Sequence, residues 1–145
     1  MKRLVVLCFL AIGFSSLAFA AKPVTPASTD KTKIVTVGEA KALYDKGVKF
    51  CDARKPFEYA QKRVKGAINT YYNEKGGKKN KKVGWDTSKD KFDLSKLPGT
   101  CVYYCNGPKC WKSYKAAVVA QKNGKTTYWL RDGVPAWEKA GYPVE

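Results

Sequence analysis

The stretch VYYCNGPKCWKSYKAA, residues 102–117, sets Cys105 and Cys110 on either side of an Asn-Gly-Pro-Lys turn. An apolar, strand-like run precedes it and an alanine-rich, helix-like run follows. Cysteine works through its thiolate, whether as nucleophile, redox centre or metal ligand. The chain contains no histidine. That excludes a Ser-His-Asp triad, a Cys-His dyad and a C-x-x-C-H haem attachment. Zinc would have to be held by cysteines and carboxylates alone, and no metal or cofactor is expected. A thiolate must therefore be stabilised by a fixed field. A strand ending at Cys105 and a helix starting near Cys110–Trp111 would supply one. The intervening backbone N–H groups, with Gly107 and Pro108 shaping the turn, can curl into an anion-holding nest, and the helix N-terminus adds partial positive charge. Lys109 and Lys112 push the same way.

The elements that would position this loop follow from the pattern of the remaining chain. Lys2 and Arg3, the apolar LVVLCFLAIGF and Ala18-Phe19-Ala20 read as a cleavable export signal over residues 1–20. A periplasmic or secreted protein is expected, with no stable membrane insertion after cleavage. Cys8 leaves with the signal, so four of the five cysteines remain: Cys51, Cys101, Cys105 and Cys110. In an oxidising compartment a disulfide is a live alternative for any of them. Residues 21–33, rich in Pro, Ser, Thr and Lys, read as a flexible linker. Beyond it, strands at KIV, VKFCDA, GAINTYY, TCVYY and TTYWL alternate with helices at EAKALYDK, PFEYAQK, CWKSYKAAVVAQK and VPAWEKAG. Thr36 and Glu39 form a capping box, and Pro56 suits a first helical turn. This alternation predicts an α/β domain over residues 34–145, with a central, mostly parallel five-stranded sheet covered by helices on both faces. Residues 70–99 form a lysine-rich insertion expected to be mostly loop.

The net charge is +16, from 28 Lys+Arg against 12 Asp+Glu. Such a balance favours anionic partners. Lys75, Lys78, Lys79, Lys81 and Lys82 concentrate charge in the insertion, where a solvated face is the plainer reading and docking to an anionic protein or lipid surface the sharper one. Aromatics are sparse there, which argues against single-stranded nucleic acid, and no nucleic-acid partner is expected.

Three stretches in order, FCDARKPFEYAQKRVKGAIN, VYYCNGPKCWKSYKAA and YWLRDGVPAWEKAGYPVE, resemble single-domain rhodanese (thiosulfate sulfurtransferase-like) proteins across residues 34–145. The resemblance implies the three-layer rhodanese-like fold and a sulfurtransferase. Cys105 would take sulfane sulfur as a persulfide from a small anionic donor such as thiosulfate and pass it to a thiol or other acceptor, with a protein partner one alternative. Asn106, Gly107, Pro108, Lys109, Cys110, Trp111 and Lys112 would form the substrate-binding loop, supported by Asp52, Arg54 and Ser113. Some residues depart from the pattern. Arg63 stands in place of a common histidine, Asp132 in place of a common glycine, and the Cys105 loop is about two residues longer than the short rhodanese loop. A phosphatase would need C-x5-R, whereas the sixth residue after Cys105 is Trp111.

Other readings stay open. Cys110 can bridge to Cys105, discharge its persulfide or simply face a pocket. Asp52 is expected to hydrogen-bond the loop, and Arg54 to pair with Glu58. Cys51 and Cys101 read as free, buried core cysteines rather than a bridge, and Trp129 and Trp137 as core. Two rival functions remain: a thiol–disulfide redox protein using Cys105 and Cys110, and a non-catalytic rhodanese-fold module that binds a partner.

Overall fold

The five apolar runs become strands β1 (Lys33–Ile34), β2 (Lys49–Asp52), β3 (Ile68–Asn69), β4 (Thr100–Tyr104) and β5 (Thr126–Leu130). They form one sheet in the order β1-β5-β4-β2-β3, and every pairing is parallel. The computed structural model describes residues 23–75 and 89–145. The export signal with Cys8, and Lys78, Lys79, Lys81 and Lys82 of the insertion, lie outside the described residues. Parallel neighbours need crossovers, and four helices serve the fold: α1 (Val37–Asp45), α2 (Pro56–Gln61), α3 (Trp111–Lys122) and α4 (Gly133–Lys139). The start of α1 is fixed by its capping box. Thr36 Oγ1 accepts from the Glu39 N–H at 3.2 Å, and Glu39 Oε2 accepts from the Thr36 N–H at 2.8 Å.

Period-two alternation along the strands divides the core between two faces. Cys51, Cys101, Tyr103 and Trp129 point to one face, where α3 covers them with Tyr114, Ala116, Ala117 and Ala120. Phe50, Val102, Tyr104 and Leu130 point to the other, against Ala40 of α1 and Val134 and Trp137 of α4. Trp129 and Trp137 are both fully buried, as core residues should be. The α/β, three-layer architecture expected from the sequence is the one found.

Two expectations about the fold need correction. Cys51 and Cys101 are not free: they form a disulfide between β2 and β4, with Cα atoms 6.1 Å apart. The two strands are direct neighbours, and the register sets Cys51 opposite Tyr103, two residues beyond Cys101 on the same face. A diagonal pair of that kind brings the two sulfurs within bonding reach. Residues 23–33 are not a free linker either. The Thr25 N–H and Oγ1 both donate to the Pro108 carbonyl, at 2.9 and 2.7 Å. Thr32 and Thr127 hydroxyls meet at 2.9 Å. The segment buries little apolar surface, its one large apolar side chain, Val24, being 50% exposed, which is why composition reads it as a linker. It is held instead through main-chain groups and threonine hydroxyls.

The described ends of the insertion are also tied down. Asn73 and Lys91 exchange two main-chain hydrogen bonds, at 3.0 and 2.9 Å. Buried Lys115 reaches from α3 to Glu74 at 2.8 Å and Asp90 at 3.4 Å. Between Asp90 and β4 only one short 3-10 turn, Leu94–Lys96, interrupts irregular chain. No helix among the described residues is long and apolar enough to cross a membrane.

Candidate active site

In open parallel sheets, ligand sites lie beyond the carboxyl ends of the strands. Cys105 follows directly on β4, the central strand, and is 1% exposed. Cys110 is the N-cap of α3 and makes no side-chain capping bond. Three carbonyls hold the loop, two bonded from outside it and one from within. Cys105 C=O accepts from the Val134 N–H at 2.9 Å, Gly107 C=O from the Cys110 N–H at 2.9 Å, and Pro108 C=O from Thr25. No peptide among the described residues is cis. Across a trans peptide the N–H points opposite to the C=O, so the amides of Asn106 and Lys109 face away from the partners holding those carbonyls. The first-turn amides of the 12-residue α3 have no intrahelical acceptors and carry the positive end of its dipole. The Asn106 and Lys109 amides and the start of α3 lie within the same short loop as Cys105.

Gly133 sets how closely the β5–α4 turn approaches. Its φ is +70°, and a Cβ there would lie 2.2 Å from the Cys105 carbonyl oxygen and 2.6 Å from the Gly107 nitrogen. Only glycine permits both the backbone conformation and the contact.

A polar chain braces the other side of the loop. Arg54 forks onto Asp52, Nε to Oδ1 at 2.9 Å and Nη2 to Oδ2 at 2.6 Å, and both residues are buried. Arg54 also donates to the Lys62 carbonyl at 2.5 Å and to Asn106 Oδ1 at 3.4 Å. Burial works against its charge, but the hydrogen bonds and negative charge of Asp52 outweigh that, and its pKa is raised. The expected Arg54–Glu58 pair is therefore corrected: the ion partner is Asp52, two residues away at the strand end. Asp52 reaches the loop through Arg54 rather than directly. Glu58 instead accepts from Asn106 Nδ2 at 2.6 Å and from the Lys55 N–H at 3.1 Å. Partial burial raises the Glu58 pKa; the Asn106 and Lys55 hydrogen bonds, with the charges of Lys112 and Arg54, more than offset it, and the net shift is downward.

The remaining candidates sort by contact. Trp111 donates from Nε1 to the Pro23 carbonyl at 2.9 Å and packs edge-on to Tyr114. It therefore braces the N-terminal segment. Lys109 is exposed; Lys112 is half-buried, with Nζ 5.5 Å from the centre of the Tyr71 ring. Ser113 is buried and accepts from Trp129 Nε1 at 3.1 Å, so it serves the core rather than the loop. Arg63, in the place of the common histidine, pairs with Glu145 at 3.0 Å. Thr25 and Arg131, whose Nη2 donates to the Thr25 carbonyl at 3.0 Å, were not foreseen, and no residue-type signal marks such carbonyl-mediated contacts. Gly133 had a signal, since it sits in the C-terminal Gly-x-x-x-Trp stretch.

Cys105 and Cys110 are themselves bonded, with Cα atoms 6.2 Å apart. The loop is thus in its oxidised form, and neither Cys105 nor Cys110 is a free thiol. Among the described residues no cluster of three or more His, Cys, Asp or Glu could hold a metal ion.

An all-parallel α/β sheet in the order β1-β5-β4-β2-β3, with a cysteine at the end of the central strand and a helix starting just beyond it, is a rhodanese-like fold. The chain belongs to the rhodanese-like domain family, whose sequence pattern matches residues 36–140. No curated protein matches it in sequence. Among solved structures it is similar to BH2092 from Bacillus halodurans, at 21% identity and a TM-score of 0.57, covering 79% of this chain and 77% of that one. It is also similar to RPA3614 from Rhodopseudomonas palustris, described as a possible tyrosine phosphatase, at 22% identity and a TM-score of 0.53, covering 86% and 100%. A thiosulfate sulfurtransferase from Pseudomonas aeruginosa aligns at 18% identity and a TM-score of 0.53, covering 79% of this chain but only 20% of that one.

Proposed function

We infer that the protein is a sulfurtransferase that carries sulfane sulfur as a persulfide on Cys105. The observation that carries this reading is the loop itself: a buried cysteine at the end of β4, followed by peptide planes whose Cys105 and Pro108 carbonyls are engaged by Val134 and Thr25, so that the amides of Asn106 and Lys109 face the other way. With the disulfide reduced, the Cys105 thiolate attacks the outer sulfur of thiosulfate. A new S–S bond forms, the old one breaks, and sulfite leaves with its electron pair. The anion stays in the loop throughout, so the amides stabilise it before and after transfer without proton movement. An acceptor thiolate then takes the outer sulfur and returns Cys105 to its starting state. Lys109 and Lys112 supply cationic attraction for the doubly charged donor. Two disulfides among the described cysteines suit an oxidising compartment and support export to the periplasm or beyond.

Intact mass after incubation of the reduced protein with thiosulfate tests this reading. A reducible gain of about one sulfur atom is expected, and none in Cys105→Ser. Absence of uptake by the reduced wild-type protein would sink it. The Cys105–Cys110 disulfide favours a second reading, a thiol–disulfide redox protein. In that case the reduced protein would pass electrons to a disulfide substrate and take up no sulfur.

A further inference from the structure

We propose that Cys110 is a resolving thiol that discharges the Cys105 persulfide as hydrosulfide, giving the domain a reductive sulfide-releasing activity. The inference rests on the sulfurtransferase reading, since it needs sulfur loaded on Cys105. Its physical basis is that the two sulfurs can reach one another with both flanking elements intact. Cys105 still follows β4 without a break, and Cys110 still caps a regular α3 while bonded to it. Closing the bond therefore requires rearrangement within the loop alone.

The chemistry balances within the pair. The Cys110 thiol gives its proton to the outer persulfide sulfur, and the resulting thiolate attacks Cys105 Sγ. The Cys105–Cys110 bond forms, the bond to the outer sulfur breaks, and hydrosulfide leaves with the electron pair. The two cysteine sulfurs are oxidised by two electrons, and the sulfane sulfur is reduced by two. The chain lacks histidine, and Glu58, the carboxylate bonded to the loop, is engaged with Asn106 and the Lys55 amide.

Turnover then needs an external dithiol to reopen the loop, and burial decides where it attacks. Cys105 is 1% exposed, whereas Cys110 is partly exposed at the helix start. The dithiol attacks Cys110 Sγ, and Cys105 departs as the thiolate that the loop amides favour, since the better-stabilised thiolate leaves faster. Net, one thiosulfate and one dithiol give sulfite, hydrogen sulfide and one disulfide.

The test loads the reduced, reductant-free protein with thiosulfate labelled in its outer sulfur, then traps hydrosulfide and maps the cysteines by peptide mass. Labelled hydrosulfide and the Cys105–Cys110 disulfide should appear in equal amounts. Cys110→Ser should still load Cys105 with label and release one sulfite per persulfide formed, yet its loaded persulfide should release hydrosulfide at least tenfold more slowly than that of wild type. Serine is a favoured N-cap, so this variant keeps the start of α3; Cys110→Ala repeats the test without a hydroxyl. Wild-type persulfide that persists as long as in Cys110→Ser overturns the proposal and leaves the sulfurtransferase reading standing. Failure of every form to take up label or release sulfite removes both. Treating the oxidised protein with glutathione, followed by alkylation, should place glutathione on Cys110 and the alkyl group on Cys105. The reverse assignment overturns the reopening step.

Discussion

The two disulfides of this domain are built from the same residue type, one anchored within β4 and one just beyond its end, yet they occupy opposite environments. Cys51–Cys101 joins β2 to β4 beneath α3, with both residues fully buried and 50 positions apart in sequence. Cys105–Cys110 spans five positions in an irregular loop, and one of its residues is partly exposed. In the loop-entropy account the first bridge restricts the unfolded chain far more than the second, by roughly 4 against roughly 2 kcal/mol. Access runs the other way. No thiol can approach the core bridge without unfolding, whereas the loop bridge presents Cys110 to solvent. One sulfur pair holds the sheet, and the other is available to chemistry.

The sharpest way to break this contrast is to remove the core bridge. The double variant Cys51→Ala, Cys101→Ala should lose roughly 3–5 kcal/mol of stability, read as a lower denaturant midpoint. Below that midpoint, sulfur loading at Cys105 should match wild type within about twofold, because the bridge joins β2 to β4 four residues before the loop begins. A loss of loading from folded protein would show that the two bridges are not separate in function.

Gly133→Ala should divide the two regions from the other side. The backbone conformation alone costs a Cβ-bearing residue roughly 1–2 kcal/mol, and the close contacts force the Cys105 peptide to move. Stability should fall by less than in the core-bridge variant. Loading should fall by about 10²-fold, the scale expected when a reacting group is misplaced by an ångström. Normal loading in folded Gly133→Ala would mean that the carbonyl-side bracing of the loop is irrelevant to the thiolate.

How much of this was readable beforehand depends on which interactions have a local signature. The alternation of strands and helices does, and so do the capping box at Thr36 and the placement of Cys105 at a strand end. The core bridge does not. A buried half-cystine and a free buried cysteine occupy the same strand positions, and only the adjacency of β2 and β4 in the sheet brings Cys51 to Cys101. Arg54 had two carboxylates within four residues. The pairing with Asp52 wins because Asp52 sits at a strand end with both oxygens turned to the guanidinium, leaving Glu58 free for Asn106. The strap at Thr25 is recorded by carbonyl acceptors, which every residue owns.

The smallest effect should come from Glu58, which braces the loop without touching either sulfur. Its pKa is depressed in the folded protein, so its contribution is fully present above the ordinary carboxyl range and is lost as pH falls through the lowered value. Glu58→Gln keeps an acceptor for Asn106 Nδ2 but removes the negative charge facing Lys112 and Arg54. Near neutral pH the loading rate should change by no more than about threefold, since a surface charge pair contributes little. The informative reading is at acid pH. Loading normalised to Cys105 thiolate should fall for wild type as Glu58 is protonated, and this step should be missing in Glu58→Gln. The unfolding free energy should show a matching difference in slope over the same acid interval, positive with pH for wild type and flatter for the variant. A core-bridge variant that reproduced this flattening would place the acid step in the sheet, and would contradict the assignment of pH sensitivity to the loop.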